Sequence, residues 1–202
     1  VKAYRRAMDG AELSRLLVGL AAHLENLGMD VEPAHCSQPA SEAEVAFLES
    51  DLGVALPPSF REVLLTVSGD VSFRWSIPAV LLQPAPFDAI SSGQLWWSVE
   101  LTEQTERDRR HWASEVFPDL DDPYDAVWHR KLGISPVGNG DIIALDLHPA
   151  RLGQVVYLSH DGDEAHGYVM AESVVDLVAR LAPLAFVGPE GWQWRAFCST
   201  AE

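Results

Sequence analysis

The sequence predicts a single α+β domain with a twisted, mainly antiparallel central sheet flanked by helices. Three observations carry this expectation. Leucines recur at helical spacing near the N-terminus, apolar residues alternate with polar ones beyond Gly69, and an apolar helical run follows Glu172 near the end. Helices come first, then strands joined by tight turns, then one more helix, which is the order of an α+β unit and not of a repeating βαβ chain.

Residues 9–27 read as the first helix, because Leu13, Leu16, Leu17, Leu20, Leu24 and Leu27 follow the i, i+3, i+4, i+7 pattern of one buried face. Asp9 stands at the N-cap with Glu12 three residues on, and Gly28 stands where a helix-ending glycine belongs. Residues 29–39 hold two prolines and no periodicity, and read as a loop. Ser41-Glu42-Ala43-Glu44 is a capping box opening a second helix with Val45, Leu48 and Leu52 inward, closed by Gly53. Pro57-Pro58 opens a third, which buries Phe60, Val63, Leu64 and Val67 and stops at Gly69.

Beyond Gly69 the period changes to two. Val71, Phe73 and Trp75 alternate with Ser72 and Arg74 as in a half-buried strand, and the proline-rich residues 77–92 suggest brief strands between loops. Residues 98–112 read as an exposed helix: no apolar residue stands between Thr102 and His111, and Glu103 with Arg107 and Glu106 with Arg110 are i, i+4 pairs in the favourable order. Residues 117–124 form an acidic loop between two prolines. Strands follow at 134–137, 141–147 and 154–159, the first two joined by the turn Gly138-Asn139-Gly140. A further turn over 161–167 leads to Tyr168-Val169-Met170, and the closing helix over 172–181 turns Val174, Val175, Val178 and Leu181 inward. The organisation is one globular unit: an N-terminal helix and loop (1–40), an α+β core (41–182) and a tail carrying Trp192 and Trp194 (183–202).

Thirty acidic residues against fourteen basic ones give the 202-residue chain a net charge of −16, which disfavours nucleic-acid backbones and anionic membranes and favours a basic protein partner. Hydrophobic residues make up 48%, enough for a packed core. The longest apolar run, residues 174–187, is interrupted by Asp176, Arg180 and Pro183 and falls short of the ~20 residues that cross a bilayer. Residues 1–6 carry two arginines with no apolar block of a secretory signal behind them. Cys36 and Cys198, too few for a disulfide framework, read as free thiols in the reducing cytoplasm, although pairing across the fold stays open from sequence.

The order and spacing of Glu49, Leu52-Gly53, Leu56-Pro57, Phe60, Leu64-Leu65 and Gly69 resemble the SUKH superfamily, which includes Smi/Knr-type regulators of fungal cell-wall synthesis and bacterial immunity proteins. The second half is similar to it too, in residues 134–146 with their Gly-Asn-Gly-Asp turn, in Val155-Val156-Tyr157-Leu158-Ser159-His160-Asp161, and in the helix after Met170. The resemblance covers residues 41–181. It implies a twisted sheet flanked by helices and a non-catalytic role, in many bacterial members the neutralising of a toxin's effector domain. Gly53, Gly69, Gly138 and Gly140 serve backbone turns or close approaches, Pro57 fixes a helix entry, and Leu56 and Phe60 fill the core.

Candidate chemistry concentrates in Ser159-His160-Asp161-Gly162-Asp163-Glu164-Ala165-His166. Consecutive residues on a strand face opposite ways, so this is no Ser-His-Asp triad. A tight turn would gather His160, Asp161, Asp163 and His166 as metal ligands, and a metal-dependent hydrolase is therefore one alternative. A polar turn between strands is the plainer explanation. Asp119, Asp121, Asp122 and Asp125 lack the alternation and later Glu of a calcium loop. No catalytic set and no cofactor motif emerges. For partner contact the sequence offers aromatic anchors beside carboxylates: Trp96, Trp97, Glu103, Glu106, Asp119, Asp121, Asp122, Tyr124 and Asp125. The expected function is that of an immunity-type protein blocking a basic toxin domain, such as a nuclease. The alternative is a scaffold for endogenous partners such as cell-wall synthesis machinery.

Overall fold

The computed structural model describes residues 8–81, 83–85, 87–162 and 165–198. Helix α1 (Gly10–Asn26) is capped by Asp9, whose carboxylate accepts the Glu12 N–H at 2.7 Å, and buries Leu13, Leu17 and Leu24. Leu27, expected on that buried face, lies beyond the last turn and is exposed. Residues 29–39 are not purely loop. Two-residue strands β1 (Asp30–Val31) and β2 (His35–Cys36) pair side by side with one long neighbour, β3 (Asp70–Ser76), and segments so short leave no periodicity to read.

Helix α2 (Glu42–Leu52) opens with the reciprocal capping box of Ser41 and Glu44 and closes on Gly53 at φ 67°, the left-handed region a side chain avoids. Helix α3 (Pro58–Thr66) follows, burying Phe60, Val63 and Leu64. Glu49, one of the motif residues, accepts the Leu56 N–H at 2.9 Å and so fixes the link between these helices. At Gly69 an added Cβ would lie 3.0 Å from the Ala40 backbone nitrogen, which explains the small residue there.

Strand β4 (Ser92–Ser98) pairs antiparallel with β3 along its full length. Among the described residues of 77–91 no strand forms, contrary to expectation; prolines remove the donors a ladder needs. Helix α4 (Val99–His111) follows β4 without a loop, because Ser98 is both the last strand residue and the N-cap, its Oγ accepting the Leu101 N–H at 2.9 Å. A π-helical turn (Trp112–Val116) and a short helix α5 (Pro123–Trp128), started by Asp122, follow. The acidic loop of the sequence thus contains a helix start.

Strands β5 (Lys131–Pro136), β6 (Ile142–Asp146), β7 (Val155–Leu158) and β8 (Val169–Ala171) form an antiparallel meander in that order, and helix α6 (Val174–Leu181) packs behind it. The α+β class with antiparallel pairing holds, with the strands shared between two four-stranded sheets. Their neighbouring strands β4 and β5 are tied by Gln94 Nε2 donating to Pro136 O at 3.0 Å. The main core joins α1, α2, α3 and α6 to both sheets and includes Trp194 of the last helix, α7 (Gly191–Trp194). A second cluster of Trp128, Ile142, Ala144, Val156 and Leu158 lies on the other face of the meander, beneath Trp112, Phe117 and Tyr124. Cys36 and Cys198 are unpaired. Among the described residues no helix is long and apolar enough to cross a membrane.

Candidate partner-binding surface

The residues proposed from sequence for partner contact fall into three separate places. Trp97 and Glu106 are core residues, each 2% exposed, and cannot touch a partner. Alternation along β4 decides the first: Leu95 and Trp97 face inward, while Trp96 faces out. Glu106 is buried because α4 is not an exposed helix, despite its polar sequence. Thr102, Thr105, Glu106 and Arg109 form its inner face, packed on β5. Gly133 permits the approach, since a Cβ there would lie 2.8 Å from Thr105 O. Glu106 accepts from Arg109 Nε and Nη2 (2.7 and 2.8 Å), from Arg110 Nε (2.7 Å) and from the Gly133 N–H of edge strand β5 (2.9 Å). Charge is thus satisfied inside the protein where sequence polarity suggested solvent.

Trp96 and Glu103 occupy the second place, a surface groove of about 580 Å³ between β4 and α4. Asp70, Trp96, Glu100, Leu101, Glu103 and Arg107 are among its lining residues. Arg107 Nη2 meets Glu103 Oε1 at 2.5 Å, and Arg74 lies 5.0 Å above the Trp96 ring. Three carboxylates stand beside a half-exposed indole there, and the single lining guanidinium, Arg107, offsets one of them. Sequence reasoning missed Glu100 and Asp70. The i, i+3 spacing of Glu100 and Glu103 was a usable signal; the approach of Asp70 needs the pairing of Asp70 with Ser98.

The third place is the acidic loop. Asp122 accepts the N–H groups of Tyr124 (2.7 Å) and Asp125 (3.3 Å), Asp125 accepts that of Asp119 (3.1 Å), and Asp119 that of Asp121 (3.0 Å). These carboxylates first of all fold their own loop, leaving Leu120 exposed at the tip. Tyr124 is a clamp: its hydroxyl donates to Ser159 O at 2.5 Å and accepts the Gly162 N–H at 3.0 Å. Its ring stacks on His166 with centroids 3.9 Å apart.

The turn proposed as a metal site is wired otherwise. Asp163 lies outside the described residues. His166 cannot ligate, because Nδ1 accepts the Ser159 N–H (3.0 Å) and Nε2 donates to Tyr124 O (3.0 Å). His160 and Asp161 instead approach Asp141, but His160 Nδ1 and Asp141 Oδ1 are 2.7 Å apart, bridged by a proton on the imidazole. With Asp141 Oδ2 accepting from Tyr157 and Asn139, the carboxylate stands in a hydrogen-bonded lock, and the ligand atoms of Asp141, His160 and Asp161 lie within 4.8 Å of one another.

Burial holds the His166 imidazole below its ordinary pKa of 6.5, against the opposing effect of its bond to Tyr124 O. The unfolded chain therefore takes up this proton first as pH falls. The stability contributed by the neutral ring is complete above about pH 6.5 and is lost as pH drops toward the folded-state value. In urea unfolding measured from pH 8 to about pH 5, His166→Gln should flatten this part of the profile.

Fold and surface together define an acidic α+β domain with a carboxylate-lined groove beside Trp96. The chain belongs to the SMI1 / KNR4 family (SUKH-1), whose family model matches residues 39–180, over two thirds of its length. The match begins just before α2 and ends within α6, so α1 and the Trp-containing tail lie outside it while packing into the same core. No curated protein and no solved structure matches the chain.

Proposed function

We propose that this chain is a non-catalytic protein-binding domain of the immunity type, acting in the cytoplasm to neutralise a cognate toxin domain that presents a basic surface. The groove carries the reading: Asp70, Glu100 and Glu103 converge beside Trp96 on a chain of net charge −16. Such carboxylates raise the encounter rate with a cationic surface, and the indole supplies a desolvated anchor.

The test starts from affinity capture out of native lysate, followed by expression of the captured protein in bacteria with and without this chain. Toxicity abolished by the wild type supports the immunity reading, and a harmless partner from cell-wall machinery replaces it with regulation. For that partner, Glu100→Lys with Glu103→Lys should slow association about ten- to hundredfold, read by stopped flow at low salt. Trp96→Ala should act mainly on dissociation. Association insensitive both to salt and to the charge reversals removes the electrostatic part.

A further inference from the structure

A cluster of positive charge among the described residues has no part in the groove just described. Where α4 ends and β5 begins, Arg109, Arg110, His111, Ala113, Ser114, His129 and Arg130 line a surface pocket of about 400 Å³. No carboxylate is among these lining residues, although acidic residues outnumber basic ones thirty to fourteen in the chain. Glu106 beneath the pocket offsets one of the three guanidinium charges, so two remain. Arg109 is held rigidly, with Nε and Nη2 on Glu106 and Nη1 on Trp128 O at 2.6 Å. Arg110 is anchored through Nε on Glu106 and Nη2 on Leu52 O at 2.5 Å.

Arg130 differs from both. Its backbone stands at φ 50°, in the left-handed region that glycine or asparagine would occupy with less strain. Its guanidinium has no hydrogen bond or ion pair within the described residues, and the residue is exposed. An unpaired cation beside two anchored guanidinium groups is repelled by them in isolation, and that repulsion is relieved when an anion enters. Guanidinium forks match the oxygens of tetrahedral and planar oxyanions, and the two net charges suit a doubly charged group over a single carboxylate. The only rings lining the pocket are the imidazoles of His111 and His129, and Nε2 of His129 is engaged with Phe117 O at 2.8 Å.

We propose that this pocket binds the phosphoryl group of a small phosphorylated molecule, with Arg130 contacting the phosphate oxygens directly and Arg110 supporting from the anchored side. Inorganic phosphate, pyrophosphate and citrate are the probes, titrated calorimetrically into the whole chain in buffer free of other polyanions. Pyrophosphate or phosphate should bind saturably with a dissociation constant of about 1 mM or below. Arg130→Ala should weaken that binding about tenfold at unchanged thermal unfolding, while Arg180→Ala on α6 leaves it as it was. Absence of saturable binding overturns the proposal, as does binding unaffected by Arg130→Ala or equally reduced by Arg180→Ala. Citrate binding as tightly as either phosphate overturns the phosphoryl assignment.

Discussion

Glu106→Ala is expected to destabilise the fold by about 3–5 kcal/mol, because it strands the Arg109 guanidinium inside the protein without a counter-charge. The same substitution also removes the acceptor for the Gly133 N–H and frees Arg110 from its anchor. Urea unfolding at neutral pH measures the effect directly as a lower midpoint. Glu103→Ala, three residues earlier on the same helix, is the comparison. Its partner Arg107 is 62% exposed, so the loss should stay below about 1 kcal/mol. Near-equal losses for the two variants would contradict the assignment of α4 as a packed helix with one buried ionic face.

Asp141→Ala should be nearly as damaging, with a loss of about 3 kcal/mol or more, since several buried donors lose one acceptor together. The carboxylate, 1% exposed, accepts from Tyr157 Oη (2.6 Å), Asn139 Nδ2 (2.9 Å), the His160 N–H (2.9 Å) and His160 Nδ1 (2.7 Å). Tyr157 Oη in turn accepts the Gly191 N–H at 3.0 Å, so the damage should extend to the docking of α7. Burial alone would raise the Asp141 pKa, but these donors outweigh it and hold it below the ordinary 3.8. Its stabilisation is therefore present above about pH 3.8 and is lost as acid carries pH through the lower folded-state value. Asp141→Asn should show a shallower acid transition than the wild type, and hydrogen exchange should show earlier opening around Gly191. An unchanged acid limb would remove Asp141 from the network.

Local chemistry was legible wherever neighbours along the chain decide the outcome. The capping box at Ser41, the left-handed Gly53, the proline start of α3 and the alternation of β3 stand where their residues place them. Strands β1 and β2 escaped because two residues cannot show a period, and their partner lies about forty positions away. The family pattern was readable for the same reason as the caps, as fixed spacings of glycine, proline and core residues. Part of the site was legible too: Trp96 and Glu103, both named from sequence, line one groove. Glu106 and Trp97 were misassigned because polarity and aromaticity were taken as marks of a surface. The Arg109–Glu106 pair shows how a long-range contact, with β5, turns an apparent solvent face into an interior one. The same applies to His166, whose two backbone partners lie seven and forty-two residues away.

The doubled role of Ser98 has a mechanical result. Because strand and helix share that residue, the two walls of the groove, Trp96 on one and Glu100 with Glu103 on the other, have no hinge between them. The packing of α4 on β5 holds one wall against the sheet, beside the other. A protein seated there meets a mould whose shape was set when the chain folded, so little further freedom is frozen on contact. Selectivity on such a surface follows from which side chain fits the mould as it stands.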